Sequence, residues 1–366
     1  MKAAKAWAAV GLALLTGCAP AGETAPSEVQ PIVQEETLSE TKEESSMTQN
    51  SGPFSKDTPI TEVENDPVFG DWGRLLFPVD QGYMRGSTLG ELELTWYHNI
   101  DPDETVEIVN TLWQRASAGE TVFYDIYTGE EKAADPEKED TGLFFFQGEP
   151  GEKFAICNAG GGFAYVGAMQ DSFPHALELS KLGYNAFALI YRPGAQTACE
   201  DLARAITFVF ENAQELDVDT DCYSLWGGSA GGRMAAWLGS YGPAAFGGED
   251  LPRPGTVVMQ YTGHSDYTEN DPPTFACVGE ADGIANWRSM QRRLNAMSAL
   301  GIPTEFHHYP GLSHGFGLGT DTVAEGWLDE AVAFWESQTE GPNGVPPLSC
   351  RPSAFRRGGN GGAALG

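Results

Sequence analysis

Asp221-Cys222-Tyr223-Ser224-Leu225-Trp226-Gly227-Gly228-Ser229-Ala230-Gly231-Gly232-Arg233-Met234-Ala235-Ala236-Trp237-Leu238 decides the reading of this chain. Its first six residues are a short buried strand by pattern, and its last six open a helix. Between them stands G-x-S-x-G. A serine on so sharp a strand-to-helix turn takes a strained backbone, and the flanking glycines let strand and helix approach closely. The pentapeptide alone is common. Between a strand and a helix it predicts an exposed hydroxyl at the top of a parallel sheet.

The surroundings agree. Elements alternate as helix 173–182, strand 186–191, helix 199–216, strand 222–226, helix 230–240, strands 256–260 and 274–278, helix 287–300, strand 304–308 and helix 322–337. Upstream, Asp101-Pro102-Asp103-Glu104 marks a helix start before an apolar-periodic run over 106–116, followed by strands near 121–127, 142–147 and 153–157. Alternation of this kind predicts an α/β fold with a mostly parallel sheet covered on both faces. Ligands in such sheets bind beyond the carboxyl ends of the strands, where Ser229 falls.

An acyl-transfer serine needs a base, and the base an orienting acid. With the serine on this turn, the chain order is serine, acid, histidine. Of six histidines, only His314 sits between a final strand and a glycine, in Pro310-Gly311-Leu312-Ser313-His314-Gly315-Phe316. Asp282, in Gly279-Glu280-Ala281-Asp282-Gly283 after the penultimate strand, is the expected acid, with Glu280 and Asp266 as competitors. His264 is the second candidate base and, with Phe163, a candidate pocket residue. Asn158-Ala159-Gly160-Gly161-Gly162-Phe163 follows another strand end, and consecutive glycines can turn amides toward a developing oxyanion. A phosphate loop is the competing reading, but no Lys-Ser/Thr follows the glycines and G-x-G-x-x-G is absent. Ala230 supplies a further N–H.

Together these marks, with Tyr191-Arg192-Pro193 and Glu200-Asp201, make residues 154–335 resemble α/β-hydrolases of the hormone-sensitive-lipase and acetyl-esterase type. The resemblance implies the α/β-hydrolase fold and a serine carboxylesterase needing no metal or organic cofactor. It implies an oxyanion hole at Gly161, Gly162 and Ala230. Ala159 stands where the lipase branch has His, and Gly227 where it often has Asp. Both departures bring the chain nearer to exported esterases of acylated carbohydrates, so acetyl or feruloyl groups on glycans are the expected esters. A serine peptidase shares fold and triad, but no repeat suggests the propeller that often accompanies one. A binding lipoprotein with a dead hydrolase fold would lack a triad member, and none is lacking.

The ends carry a different message. Lys2 and Lys5 precede an apolar run over 6–15 that is too short to span a bilayer, which is an export signal. It ends in Leu15-Thr16-Gly17-Cys18, which resembles the lipobox of bacterial lipoproteins. That resemblance implies removal of a signal peptide over 1–17, lipidation of Cys18 and an extracytoplasmic, membrane-anchored bacterial protein. Residues 18–66 are rich in Glu, Ser, Thr and Pro and are expected to form a disordered acidic tether; 341–366 are expected to be a disordered tail. A segment over 67–140 carries Phe69, Trp72, Phe77, Tyr83, Trp96, Tyr97 and Trp113 and precedes a catalytic core over 141–340. Related esterases build a cap from the corresponding segment. Most of these aromatics are expected in a core, with a few left for a cleft where Trp could stack on sugar rings.

A net charge of −31 opposes binding to nucleic acid. Cys157, Cys222 and Cys277 lie in apolar runs, and Cys199 opens a helix. All four read as small buried hydrophobes, and with Cys18 lipidated the odd remainder argues against a fully paired framework.

Overall fold

The computed structural model describes residues 52–78, 82–98 and 100–339. The signal region, Cys18, most of the tether and the tail lie outside them. Among the described residues no helix is long and apolar enough to cross a membrane.

In chain order the elements are α1 (Ile60–Glu64), β1 (Met84–Arg85), β2 (Glu93–Leu94), α2 (Pro102–Ser117), β3 (Phe123–Tyr124), α3 (Gly129–Ala134), β4 (Gly142–Phe146), β5 (Lys153–Asn158), α4 (Ala168–Asp171), α5 (Phe173–Lys181) and β6 (Asn185–Ile190). There follow α6 (Ala195–Glu211), α7 (Ala213–Leu216), β7 (Asp219–Gly228), α8 (Ala230–Tyr241), β8 (Thr256–Gln260), β9 (Thr274–Gly279), α9 (Trp287–Ala299), β10 (Thr304–Tyr309) and α10 (Trp327–Thr339).

Eight strands form one sheet in the order β10-β9-β8-β7-β5-β6-β4-β3. From β6 through β10 every pairing is parallel, while β4 and β3 close one edge antiparallel. The chain reverses direction between β5 and β7, neighbours with crossovers running to opposite sides, and this switch point opens a crevice at their carboxyl ends. β4, β6, β8 and β9 are buried along their whole length, so they read as continuous apolar runs rather than alternating ones.

Two sequence expectations are corrected. The tether does not reach residue 66. Phe54 is 6 % exposed, and its N–H and carbonyl pair with the buried Asn110 side chain on α2 at 3.0 and 2.9 Å. Ile60 and Val63 of α1 are buried as well. Three apolar anchors in an otherwise polar stretch are too sparse to register as periodicity, yet enough to dock it. Cys222 is the second correction: it is buried as expected but disulfide-bonded rather than a free thiol, whereas Cys157, Cys199 and Cys277 are free and buried. An apolar run around a cysteine suits either state, so pattern alone could not separate them.

The aromatics over 67–140 divide as expected. Phe69 and Phe77 are buried, and Trp72 stacks on Phe123 at 5.9 Å. Trp96 is the exception, 41 % exposed. The helix expected over 322–337 begins only at Trp327, and the strand expected over 121–127 shrinks to Phe123–Tyr124.

One buried ion pair fastens α6 to the turn after β6. Arg192 Nη2 donates to Asp201 Oδ1 at 2.7 Å, and Asp201 also accepts from Arg192 N and the Tyr127 hydroxyl. Asp201 is wholly buried and Arg192 nearly so. Removing one partner strands a desolvated charge. Asp201→Ala is therefore expected to lose about 3–5 kcal/mol of stability in urea unfolding. The double change Arg192→Met/Asp201→Leu is expected to recover much of that loss.

Candidate active site

Ser229 sits between β7 and α8 with φ 50° and ψ −114°, a conformation that L-residues rarely adopt. Its N–H is held by the Gln260 carbonyl at 2.9 Å. The turn closes only because its neighbours lack side chains. A Cβ at Gly231 would lie 1.9 Å from Asn158 O, and one at Gly228 would lie 2.2 Å from Asp171 Oδ1.

Three further strand ends converge on Ser229. His314, after β10, has Nε2 3.0 Å from Ser229 Oγ and Nδ1 2.7 Å from Asp282 Oδ2. Asp282, after β9, has a fully buried side chain, and its other oxygen accepts from the N–H groups of Ile284 and Ala285, each at 2.7 Å. Those two bonds aim the carboxylate at the imidazole. The rival acids point elsewhere: Glu280 bonds His308 at 2.6 Å, and Asp266 accepts from Tyr241. Such a serine–imidazole–carboxylate chain can pass a proton from hydroxyl to imidazole while the carboxylate steadies the imidazolium.

The glycine loop follows β5. Gly161 and Gly162 take φ of 122° and 64°, and the Gly160 position passes within contact distance of the Ser229 side chain. Ala230 opens α8, so its N–H has no partner within the helix. Gly162 and Ala230 line one cavity with Ser229, and Gly161 precedes Gly162 in the same loop. Phe163, Gly162, Ser229, Ala230, Arg233, Tyr261, Thr262, Gly263, Ile284 and Ala285 line a cavity of about 260 Å³. His264 does not line it: the residue is 4 % exposed and packs edge-on against Trp237.

Sequence reasoning missed the residue that braces this loop. Asp171, on α4, is 1 % exposed. Its Oδ2 accepts from Gly160 N at 2.7 Å and Tyr97 Oη at 3.0 Å, and its Oδ1 accepts from the Tyr261 hydroxyl. One carboxylate therefore ties the glycine loop to the N-terminal segment and to the turn after β8. Burial pushes its pKa from 3.8 to about 6, against the lowering effect of the three hydrogen bonds. Tyr191 adds a bond to the Ala159 carbonyl at 2.8 Å.

The N-terminal segment reaches the site too. His98 bonds through Nδ1 to the His314 carbonyl at 3.0 Å, and its N–H donates to Gly315 O at 3.1 Å. Trp96, at φ 73°, lies against Gly162, and Tyr165 bonds the Thr95 carbonyl. No motif flagged Asp171 or His98.

Residues 149–251 match the family model BD-FAE. Among solved structures, an acetyl ester-xyloside bifunctional hydrolase from Caldicellulosiruptor lactoaceticus is 22 % identical, with a TM-score of 0.52 over 59 % of this chain and 95 % of that one. A sugar hydrolase from Lactococcus lactis is 22 % identical, with a TM-score of 0.47 over 54 % and 94 %. A thermophilic esterase from Thermogutta terrifontis is 19 % identical, with a TM-score of 0.43 over 53 % and 85 %. No curated protein matches. The sheet order and the likeness to the C. lactoaceticus hydrolase place the chain in the α/β-hydrolase fold.

Asp171→Asn keeps the shape but turns one acceptor into a donor, leaving a buried neighbour unsatisfied. The expected cost is about 1–3 kcal/mol in stability and roughly 10–100-fold in kcat on a short aryl ester, through a loosened glycine loop. A purely structural role would leave kcat per folded molecule unchanged. Because the folded value near 6 exceeds 3.8, the folded protein holds this proton more tightly than the unfolded chain. Wild-type stability measured relative to Asp171→Asn is therefore expected to fall as pH rises from about 4 through about 6.

Proposed function

We propose that this chain, an α/β-hydrolase and a carboxylic ester hydrolase, is a serine carboxylesterase that removes short acyl groups, acetyl or feruloyl, from carbohydrates. The single observation that carries the reading is the chain of contacts from Ser229 Oγ to His314 to Asp282, at 3.0 and 2.7 Å.

In this reading His314 Nε2 takes the Ser229 proton as Oγ bonds to the ester carbonyl carbon. The carbonyl oxygen becomes an oxyanion that accepts from the N–H groups of Gly161, Gly162 and Ala230. Collapse breaks the bond to the alcohol oxygen, which leaves with the proton from His314. Water then gives a proton to His314 as it attacks the acyl carbon; collapse breaks the bond to Ser229 Oγ, which takes the proton back from His314 as the acid leaves. Asp282 holds the imidazole in the tautomer that both steps require.

The carbohydrate half of the proposal is supported by Trp96. Its exposed indole packs over Gly162 beside the glycine loop. It stacks with Tyr165 at 5.9 Å, and Tyr165 stacks with Tyr83 at 4.9 Å. An exposed aromatic face, backed by Tyr83 and Tyr165 and set against the glycine loop, suits a sugar ring. The C. lactoaceticus hydrolase, described as acting on acetyl esters and xylosides, agrees with this choice. We place the enzyme outside the cytoplasm, anchored through lipidated Cys18.

The test is a panel of p-nitrophenyl acetate, longer acyl esters, an acetylated xylan and peptide amides, with Ser229→Ala alongside. Short esters are expected to turn over, and Ser229→Ala to lose about 10⁶-fold in kcat if the triad acts as a unit. Amide cleavage without ester cleavage would overturn the reading. Trp96→Ala is expected to lower kcat/KM severalfold more on acetylated xylan than on aryl acetate. Equal losses on the two would remove the sugar platform.

A further inference from the structure

Arg233 is the only charged residue among those lining the cavity at Ser229. It is half-buried in the first turn of α8, one turn beyond the serine, with its N–H donating to Ser229 O at 3.2 Å. That location opposes it electrostatically. The N-terminus of a helix carries partial positive charge and favours acidic residues, not a guanidinium.

Pairing does not offset the placement. This chain has a net charge of −31, and five of its arginines hold carboxylates: Arg74 with Asp140, Arg115 with Glu120, Arg192 with Asp201, Arg204 with Glu211 and Arg293 with Asp271. Among the described residues no carboxylate lies within 4.0 Å of the Arg233 guanidinium. The guanidinium instead lies 5.9 Å from the centroid of the Trp237 ring. The next residue behind the wall adds no negative charge. Burial, with Arg293 and Arg233 nearby, pushes the pKa of His264 down to about 4, so the ring is neutral at neutral pH, and its Nε2 has no protein partner.

An unpaired cation in a cavity with no acidic lining, beside a reacting serine, is a site for an anion. We propose that Arg233 forms a carboxylate subsite, so that the preferred substrates are esters bearing a carboxylate a few bonds from the scissile carbonyl. The carboxylate could stand on the acyl side, as in a half-ester of a dicarboxylic acid, or on the alcohol side, as in an acylated uronic acid. Both present the same chemistry to the guanidinium. This inference rests on the serine esterase reading and adds a substrate class to it.

The experiment compares kcat/KM within two matched pairs, using the full chain. One pair is p-nitrophenyl hemisuccinate against p-nitrophenyl butyrate, for the acyl side. The other is methyl O-acetylglucuronoside against methyl O-acetylglucoside, for the alcohol side. Wild type is expected to prefer the anionic member of at least one pair, and raising salt is expected to erode that preference. Arg233→Met is expected to lower the anionic-to-neutral ratio by roughly 10–100-fold, the worth of a hydrogen bond to a charged group. Arg233→Lys is expected to keep part of the preference. The pair that responds identifies the side. No wild-type preference in either pair, or equal loss on both members in Arg233→Met, would overturn the subsite, and the wild-type salt series decides the matter even if that variant does not fold. Serine-dependent turnover of the neutral esters without anionic preference would remove the subsite alone. Absence of serine-dependent turnover on all four would remove the esterase reading as well.

Discussion

The backbone of Ser229 is the constraint on which the site depends. At φ 50° and ψ −114° it occupies a region that costs of order 1–3 kcal/mol and survives only where its surroundings over-determine it. They do. β7 delivers the residue, α8 leaves immediately after it, and its N–H is fixed by Gln260 at the end of β8. Gly231 must touch Asn158 of β5, so the elbow is seated on the strand that leads into the glycine loop. Strain at the nucleophile and placement of the loop are thus one packing solution.

Asp171 extends that solution outward. A buried carboxylate is expensive unless donors surround it, and here the donors are parts of the active site. Gly160 brings the glycine loop, Tyr97 the N-terminal segment and Tyr261 the turn beside the serine. The same N-terminal segment bonds the His314 loop through His98. Residues before the parallel sheet therefore do more than cover it: they fix two of the loops that carry the chemistry.

The sheet and the triad were legible because both are written in local pattern. Alternating strand-length and helical runs pointed to a mostly parallel sheet, and chain order gave Asp282 and His314 their places after β9 and β10. Asp171 and His98 were not legible. Two of the aspartate's three partners lie 74 and 90 residues away, and the carbonyl that the His98 ring bonds lies 216 residues away, which no periodicity encodes. The docking of Phe54 on Asn110 was illegible for the same reason, with 56 residues between the partners. Cys222 shows a related limit, since an apolar run does not distinguish a packed thiol from a bonded one.

Trapping the covalent intermediate tests the central claim most directly. Rapid mixing with excess p-nitrophenyl acetate, followed by acid quench and peptide mass analysis, reads both stoichiometry and site. The account predicts a burst approaching one equivalent of p-nitrophenol per chain where deacylation is slower than acylation, and an acetyl increment on the peptide containing Ser229. An acetyl group accumulating on any other residue during turnover, with Ser229 unmodified, would contradict it.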